Sequence, residues 1–225
     1  MSVLRERPGK ELLSWAAQGA LYGFGYIRPR PPRKPPRETS TLVFVHGLAM
    51  NRASFFPLQG YLRLMGYDAQ SSRNFGIPDS IEAMAEAVGR LVERAAPEGR
   101  VTIVAHSMGG LAARWYVQQM GGDARVDRIV TLATPHRGTY LASNASTGLL
   151  NQFDPEGPFI RSLNDSPMPP TVELHSIVAG QDLIVVPRAA GQAPFGESVT
   201  FDDLGHMDVL LSPRVFAAVH LALRS

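Results

Sequence analysis

From residue 39 onward, short runs of β-branched and aliphatic residues recur along the chain, separated by longer stretches of a different period. Leu42-Val43-Phe44-Val45, Val101-Thr102-Ile103-Val104, Ile129-Val130-Thr131-Leu132 and His175-Ser176-Ile177-Val178 are four such runs. Continuous apolar runs of this length fit strands covered on both faces, as in a parallel sheet. Weaker runs near residues 68–71 and 198–201 extend the series. The intervening stretches have helical spacing. The clearest covers residues 80–96, where Ile81, Met84, Ala85, Val88, Leu91 and Val92 share one face and Asp79 or Ser80 stands as N-cap. Others cover residues 108–120 and 213–223. Strands alternating with helices predict an α/β fold with a mostly parallel, doubly wound sheet and right-handed crossovers. In such a sheet, functional side chains are sought at the carboxyl ends of the strands.

The first 38 residues read differently. Residues 11–27 are apolar, with Leu12, Leu13, Trp15, Leu21, Tyr22, Phe24, Tyr26 and Ile27. Residues 28–37 follow with five prolines and five Arg or Lys, a composition that excludes helix and favours extended chain. The expected division is therefore an apolar arm with a Pro/Arg-rich linker over residues 1–38 and a catalytic domain over 39–225. The apolar segment falls short of the ~20 residues that span a bilayer. A signal-peptide core would be interrupted by Gln18, Gly19 and Gly23. Two other readings stand: a helix packed on the domain, or a membrane-surface segment in which the cations at 28–37 meet anionic lipid. On the second, residues 11–37 would hold the protein at an interface without taking part in chemistry.

Charge sharpens the contrast. The first 37 residues carry net +6, and the rest carries −4. The domain therefore lacks the basic face of a nucleic-acid-binding module, and no nucleic-acid partner is expected. Cysteine is absent, which removes disulfide and thiolate chemistry and fits a cytoplasmic or peripheral-membrane location, with secretion as the alternative.

The strongest chemical signal is Val101-Thr102-Ile103-Val104-Ala105-His106-Ser107-Met108-Gly109-Gly110-Leu111. A buried strand runs into a sharp turn with serine at its apex, and a helix follows. Such a turn pushes the hydroxyl clear of the backbone, and its flanks must be small because strand and helix approach closely. Gly109 meets that need, and Ala105 stands where glycine is usual. A serine hydroxyl needs a base, and the base needs a carboxylate to orient it. His206 fits the first role, in the loop after the last strand. Asp182 fits the second, just past the strand at 175–179. Asp202, Asp203 and Asp208 are rivals so close to His206 in sequence that capping or solvating its loop is the simpler role. His46, His106, His136, His175 and His220 sit in turns, strands or the final helix and are read as structural. Developing negative charge on a substrate oxygen would be met by backbone N–H groups of Met108, at a helix start, and of Leu48, after Gly47.

These pieces together resemble bacterial lipases of the α/β-hydrolase superfamily. The matching segments are His46-Gly47-Leu48, Ala105-His106-Ser107-Met108-Gly109-Gly110, Thr134-Pro135-His136-Arg137-Gly138-Thr139, Gly180-Gln181-Asp182 with Val186-Pro187, and Gly205-His206. Ala105 is similar to the alanine of small Bacillus-type lipases, and residues 157–164 resemble the helix that follows the Thr-Pro-His segment in triacylglycerol lipases. The resemblance implies an acyl-ester or lipid substrate, hydrolysis through an acyl-enzyme, and neither metal nor cofactor in the chemistry. Residues 1–38 lie outside it. Between the strands ending at Leu132 and starting at Leu174, some forty residues include Leu141, Leu149, Phe153 and Phe159, which are read as an apolar wall or small cap for the acyl chain, with core packing as the rival role. An acyltransferase or thioesterase could use the same three residues. A non-catalytic module on this fold would be expected to lack one of them.

Overall fold

The computed structural model describes residues 8–22, 41–143 and 148–225. The Pro/Arg-rich linker expected at 28–37 lies outside the described residues. Six strands form one sheet: β1 (Thr41–Val45), β2 (Gln70–Ser72), β3 (Val101–His106), β4 (Val126–Leu132), β5 (Glu173–Ala179) and β6 (Glu197–Phe201). Their order is β2-β1-β3-β4-β5-β6, and every neighbouring pair is parallel. Parallel strands need crossovers, and helices supply them. Helices α2 (Phe56–Leu64), α3 (Ile81–Ala95), α4 (Met108–Gln119) and α5 (Pro158–Asp165) lie between strands, α6 (Pro213–Ala222) follows β6, and α1 (Pro8–Tyr22) precedes β1.

The two-residue period of the strands divides the core in two. Val43, Val45, Ile103, Ala105 and Ile129 point to one face, where Met84, Val88 and Val92 of α3 and Leu111 of α4 cover them. Leu42, Phe44, Val104, Val130 and Leu132 point to the other, covered by Leu58 and Leu62 of α2 and Val215 and Val219 of α6. The central strands β1 and β3 are buried along their whole length, which is why they are mostly apolar, whereas the edge strands β2 and β6 are partly exposed and more polar. The helix α3 forms where its spacing predicts, and the Ser80 hydroxyl accepts the Ala83 N–H at 3.1 Å as its cap. Strand order reverses between β1 and β3, so the loops leaving those two strands diverge and open a crevice at the carboxyl edge of the sheet.

Helix α1 packs against this domain with an inverted pattern. Glu11, Ser14 and Gln18, spaced along one face, are buried, while Leu12, Leu13, Trp15 and Tyr22 are exposed. Two of these polar residues find hydrogen-bond partners there: Ser14 donates to Asp208, and Glu11 accepts from the main chain of residue 206. At its far end the Tyr22 carbonyl accepts from the Asn51 side chain, beyond β1. Among the described residues, no helix is long and apolar enough to cross a membrane.

Candidate active site

The crevice between β1 and β3 is where the chain concentrates its strain. Ser107 follows the last residue of β3 with φ 53° and ψ −125°, a left-handed backbone that side chains rarely adopt. Such a conformation costs about 1–3 kcal/mol and persists only where the surroundings hold it. Here its N–H donates to the Leu132 carbonyl at 2.9 Å. Its own carbonyl accepts from the Thr134 hydroxyl and the Gly110 N–H, both at 3.0 Å. The helix α4 starts at the next residue and passes so close to β1 that a Cβ on Gly109 would lie 2.4 Å from the Val45 carbonyl oxygen. Only glycine lets β3, the turn and α4 meet β1 this closely.

The other two residues of the expected set converge on Ser107 from the far side of the sheet. Asp182 lies just beyond the carboxyl end of β5, and His206 lies in the loop between β6 and α6. His206 Nε2 stands 3.1 Å from Ser107 Oγ, and His206 Nδ1 stands 2.8 Å from Asp182 Oδ2. The second carboxylate oxygen of Asp182 accepts the N–H groups of Ile184 and Val185 at 2.7 and 2.8 Å. That grip leaves only Oδ2 for the imidazole, so His206 carries its proton on Nδ1 and turns a bare Nε2 to the serine. Asp182 and His206 are both buried. The rivals are placed elsewhere. Asp203 pairs with Arg214 at the surface, and Asp208 bonds the Gly205 N–H and Ser14 rather than an imidazole.

The remaining histidines have settled roles. His46 donates from Nδ1 to the Gly47 carbonyl and accepts the Phe75 N–H on Nε2, a pattern that only the neutral ring satisfies. Burial pushes its pKa down to about 4. His106 is fully buried and its Nε2–H donates to the His206 carbonyl at 3.1 Å. Burial, then the nearby His206, holds it far below the usual histidine range. His136 lies in a buried polar cluster with Thr131, Ser176 and Arg114, where burial again favours the neutral ring. Arg114 is fully enclosed, and it also donates to Asn164, the Leu163 carbonyl and Gln118. This fixes α5 and the Thr134–Thr139 segment against α4. Sequence reading missed Arg114, because a single arginine in a helix carries no signal of burial.

The two residues expected to offer backbone N–H groups lie next to Ser107 or to a residue that touches it. Met108 is buried at the first position of α4, beside the serine and at the positive end of the helix dipole. Leu48 follows Gly47, whose α-carbon faces the serine so closely that a Cβ there would lie 3.0 Å from Ser107 Cβ. Ala49 then takes φ 54°, so the loop turns sharply beside the site. The four apolar residues expected at an acyl chain are split. Leu141 is exposed and Leu149 is half-buried against the core. Phe153 and Phe159 are buried in that core, Phe159 stacked on Trp115 at 4.8 Å between ring centroids. Their surface is already spent on packing, which makes them core residues in this conformation and not an open wall. The exposed apolar residues near the site are instead Tyr140, Leu141, Leu183 and Ile184, joined by the bonds from Tyr140 N to the Val186 carbonyl and from Thr139 Oγ1 to the Ile184 carbonyl. Among the described residues no group of three or more His, Asp or Glu side chains could hold a metal ion.

Sequence reading also passed over Glu11. Its carboxylate is buried beside the site and accepts the His206 N–H at 2.9 Å. Burial raises its pKa and the charge of Asp182 adds to this, while the bond from His206 opposes both.

Comparison with known proteins agrees with this fold. Residues 40–159 match the family model of the alpha/beta hydrolase fold. A stretch of 114 residues, 50% of the chain, is 30% identical to a GPI inositol-deacylase of Candida albicans and covers 24% of it. The chain therefore spans less than two thirds of that relative's length. Among solved structures, the mature form of a Bacillus licheniformis lipase superposes with a TM-score of 0.75 at 16% identity, over 86% of this chain and 96% of that one. Lipase B of Aspergillus fumigatus superposes with a TM-score of 0.68 at 19% identity, over 85% of this chain and 56% of that one. At these identities the structural likeness is one of fold.

Proposed function

The chain belongs to the α/β-hydrolase fold family, and we propose that it hydrolyses carboxylic esters, with acyl esters of lipids as its substrate class. The observation that carries the proposal is the hydrogen-bonded series from Ser107 Oγ through His206 to Asp182, with the serine held on a strained turn at the mouth of the crevice. In the proposed reaction Ser107 Oγ attacks the ester carbonyl while His206 Nε2 takes its proton. Asp182 stabilises the imidazolium so formed. The carbonyl oxygen becomes an oxyanion and receives N–H groups of Leu48 and Met108, each such donor being worth about 10²–10³ in turnover. The intermediate collapses, the C–O bond to the alcohol breaks, and the alcohol leaves with the proton from His206. Water, deprotonated by the same imidazole, then attacks the acyl-serine and releases the carboxylic acid.

The lipid assignment rests on what surrounds the crevice. Tyr140, Leu141, Leu183 and Ile184 form an exposed apolar rim next to Asp182. The outward face of α1 adds Leu12, Leu13, Trp15 and Tyr22. Aromatic and aliphatic side chains so placed suit contact with a lipid surface. The similar proteins, two lipases and a GPI inositol-deacylase, favour the same substrates. The test is a panel of p-nitrophenyl esters from acetate to palmitate together with emulsified triglyceride. The expected result is hydrolysis of the esters and release of fatty acid from the emulsion. Folded protein that hydrolyses none of them would contradict the proposal, and hydrolysis of the short esters alone would remove its lipid part.

A further inference from the structure

The three reacting residues come from three loops, and two of those loops are fixed within the sheet. Ser107 is held by Leu132 and Thr134, and Asp182 by its own following N–H groups. The loop carrying His206 has a different support. Its main chain is gripped at both ends of one residue: the His206 carbonyl accepts from His106 Nε2, and the His206 N–H donates to Glu11 Oε1 at 2.9 Å. The preceding N–H, of Gly205, donates to Asp208 Oδ2 at 2.8 Å. Asp208 in turn accepts the Ser14 hydroxyl on its other oxygen. Glu11 and Ser14 both belong to α1, nearly two hundred residues away in sequence. Contact is close enough that a Cβ on Gly205 would lie 2.6 Å from Glu11 Cδ.

We infer that Glu11 is a positioning residue for His206, and that α1 is a clamp that holds the histidine loop in register with Ser107. The inference rests on the proposed role of His206 as the base. A buried carboxylate is costly unless it is hydrogen-bonded. Here burial raises the Glu11 pKa against the bond from His206, so the acid is kept at this place at some cost to the fold. An anion that accepts a backbone N–H makes a stronger bond than a neutral group does. Holding the main chain on both sides of His206 limits displacement of the backbone that carries the ring. Small displacements of a base cost rate steeply, about 10²-fold for 1 Å.

The experiment uses the full chain and three variants, Glu11→Gln, Glu11→Asp and Glu11→Ala, each assayed on a soluble p-nitrophenyl ester. Rates are expressed per site titrated with a fluorophosphonate, so that unfolded molecules do not count. Glutamine keeps an oxygen that accepts the His206 N–H, and aspartate keeps the charge but withdraws it by one methylene. The expected result is a loss in kcat of about ten- to a hundredfold for Glu11→Ala with KM changed by less than about twofold, since an orienting contact acts on the chemical step. Glu11→Asp should lose kcat in the same sense, and Glu11→Gln should stay within about threefold of the parent, the difference between a charged and a neutral acceptor. A contribution to folding alone would lower the melting temperature and leave kcat per titrated site unchanged. That result in Glu11→Ala, or in Glu11→Asp if the alanine variant does not fold, overturns the inference. A loss in Glu11→Gln as deep as in Glu11→Asp overturns it too. Failure of the parent protein to react with the fluorophosphonate would instead count against the role of Ser107 and His206.

Discussion

At the scale of single residues, the hydrogen bonds around Asp182 dictate which nitrogen of His206 carries the proton. Asp182 spends one oxygen on two backbone N–H groups and offers the other to His206, which leaves Nε2 bare for Ser107. Asp182→Asn replaces the acceptor with an amide, and an amide that turns its NH₂ to the ring favours the opposite tautomer. We expect a folded protein with kcat lower by about 10⁴-fold, measured on a soluble ester. Unchanged turnover would remove Asp182 from the reaction. His46 gives a second prediction, concerning stability. Its folded pKa of about 4 lies below the ordinary 6.5 because the ring is buried, and its Nε2 is already engaged with the Phe75 N–H. The unfolded chain therefore takes up the proton first as pH falls. The stability that the neutral ring contributes is full above pH 6.5 and is lost as pH falls toward 4, by roughly 2–3 kcal/mol at pH 4.5. Urea unfolding at pH 7.5 and 4.5 checks this: His46→Gln should lose less stability between the two than the parent does. An equal loss would show that the proton goes elsewhere.

At the scale of elements, the close approach of α4 to β1 makes the serine turn possible. A Cβ on Gly109 would meet the Val45 carbonyl, which is backbone and cannot step aside. Gly109→Ala should therefore move α4 as a body, costing about 1–3 kcal/mol as overpacking does. Thermal unfolding should show the loss, and the fluorophosphonate reaction of Ser107 should slow with it, whereas a parent-like rate would mean that the turn tolerates a wider spacing. Elements of this kind were legible in the sequence for a physical reason. Strands β1, β3, β4 and β5 each carry a largely buried run rich in β-branched and aliphatic residues, and α3 carries one clean apolar stripe above the N-cap Ser80. Helix α2 was not legible: it is nine residues long, opens with a proline in its first turn and contains Gly60. The orientation of α1 was not legible either. Its apolar residues suggested a buried face, yet it buries Glu11, Ser14 and Gln18, and the partners of Glu11 and Ser14 wait on a loop far along the chain. Pairings over such separations leave no periodic trace.

At the scale of the molecule, the reversal of strand order between β1 and β3 decides where chemistry gathers. Ser107 leaves β3 at that crevice, the Leu48 loop leaves β1 beside it, and β5 and β6 deliver Asp182 and His206 to the same edge. Chain order and strand ends were enough to nominate these three side chains, since each must follow a strand in a parallel sheet. The acyl-chain contacts were harder to read, because Phe153 and Phe159 have the same composition signature whether they pack in the core or face a ligand. Tyr140, Leu141, Leu183 and Ile184 are exposed on segments next to Asp182 instead, and on the proposed function they are the ones that would meet lipid. The central claim is that Ser107 is made nucleophilic by this arrangement. Intact-mass analysis after treatment with a fluorophosphonate tests it most directly, on the parent and on Ser107→Ala. The account predicts a single adduct on the parent, located at Ser107, with no adduct and essentially no esterase activity in a normally folded Ser107→Ala. An adduct or undiminished ester hydrolysis in that variant would contradict it.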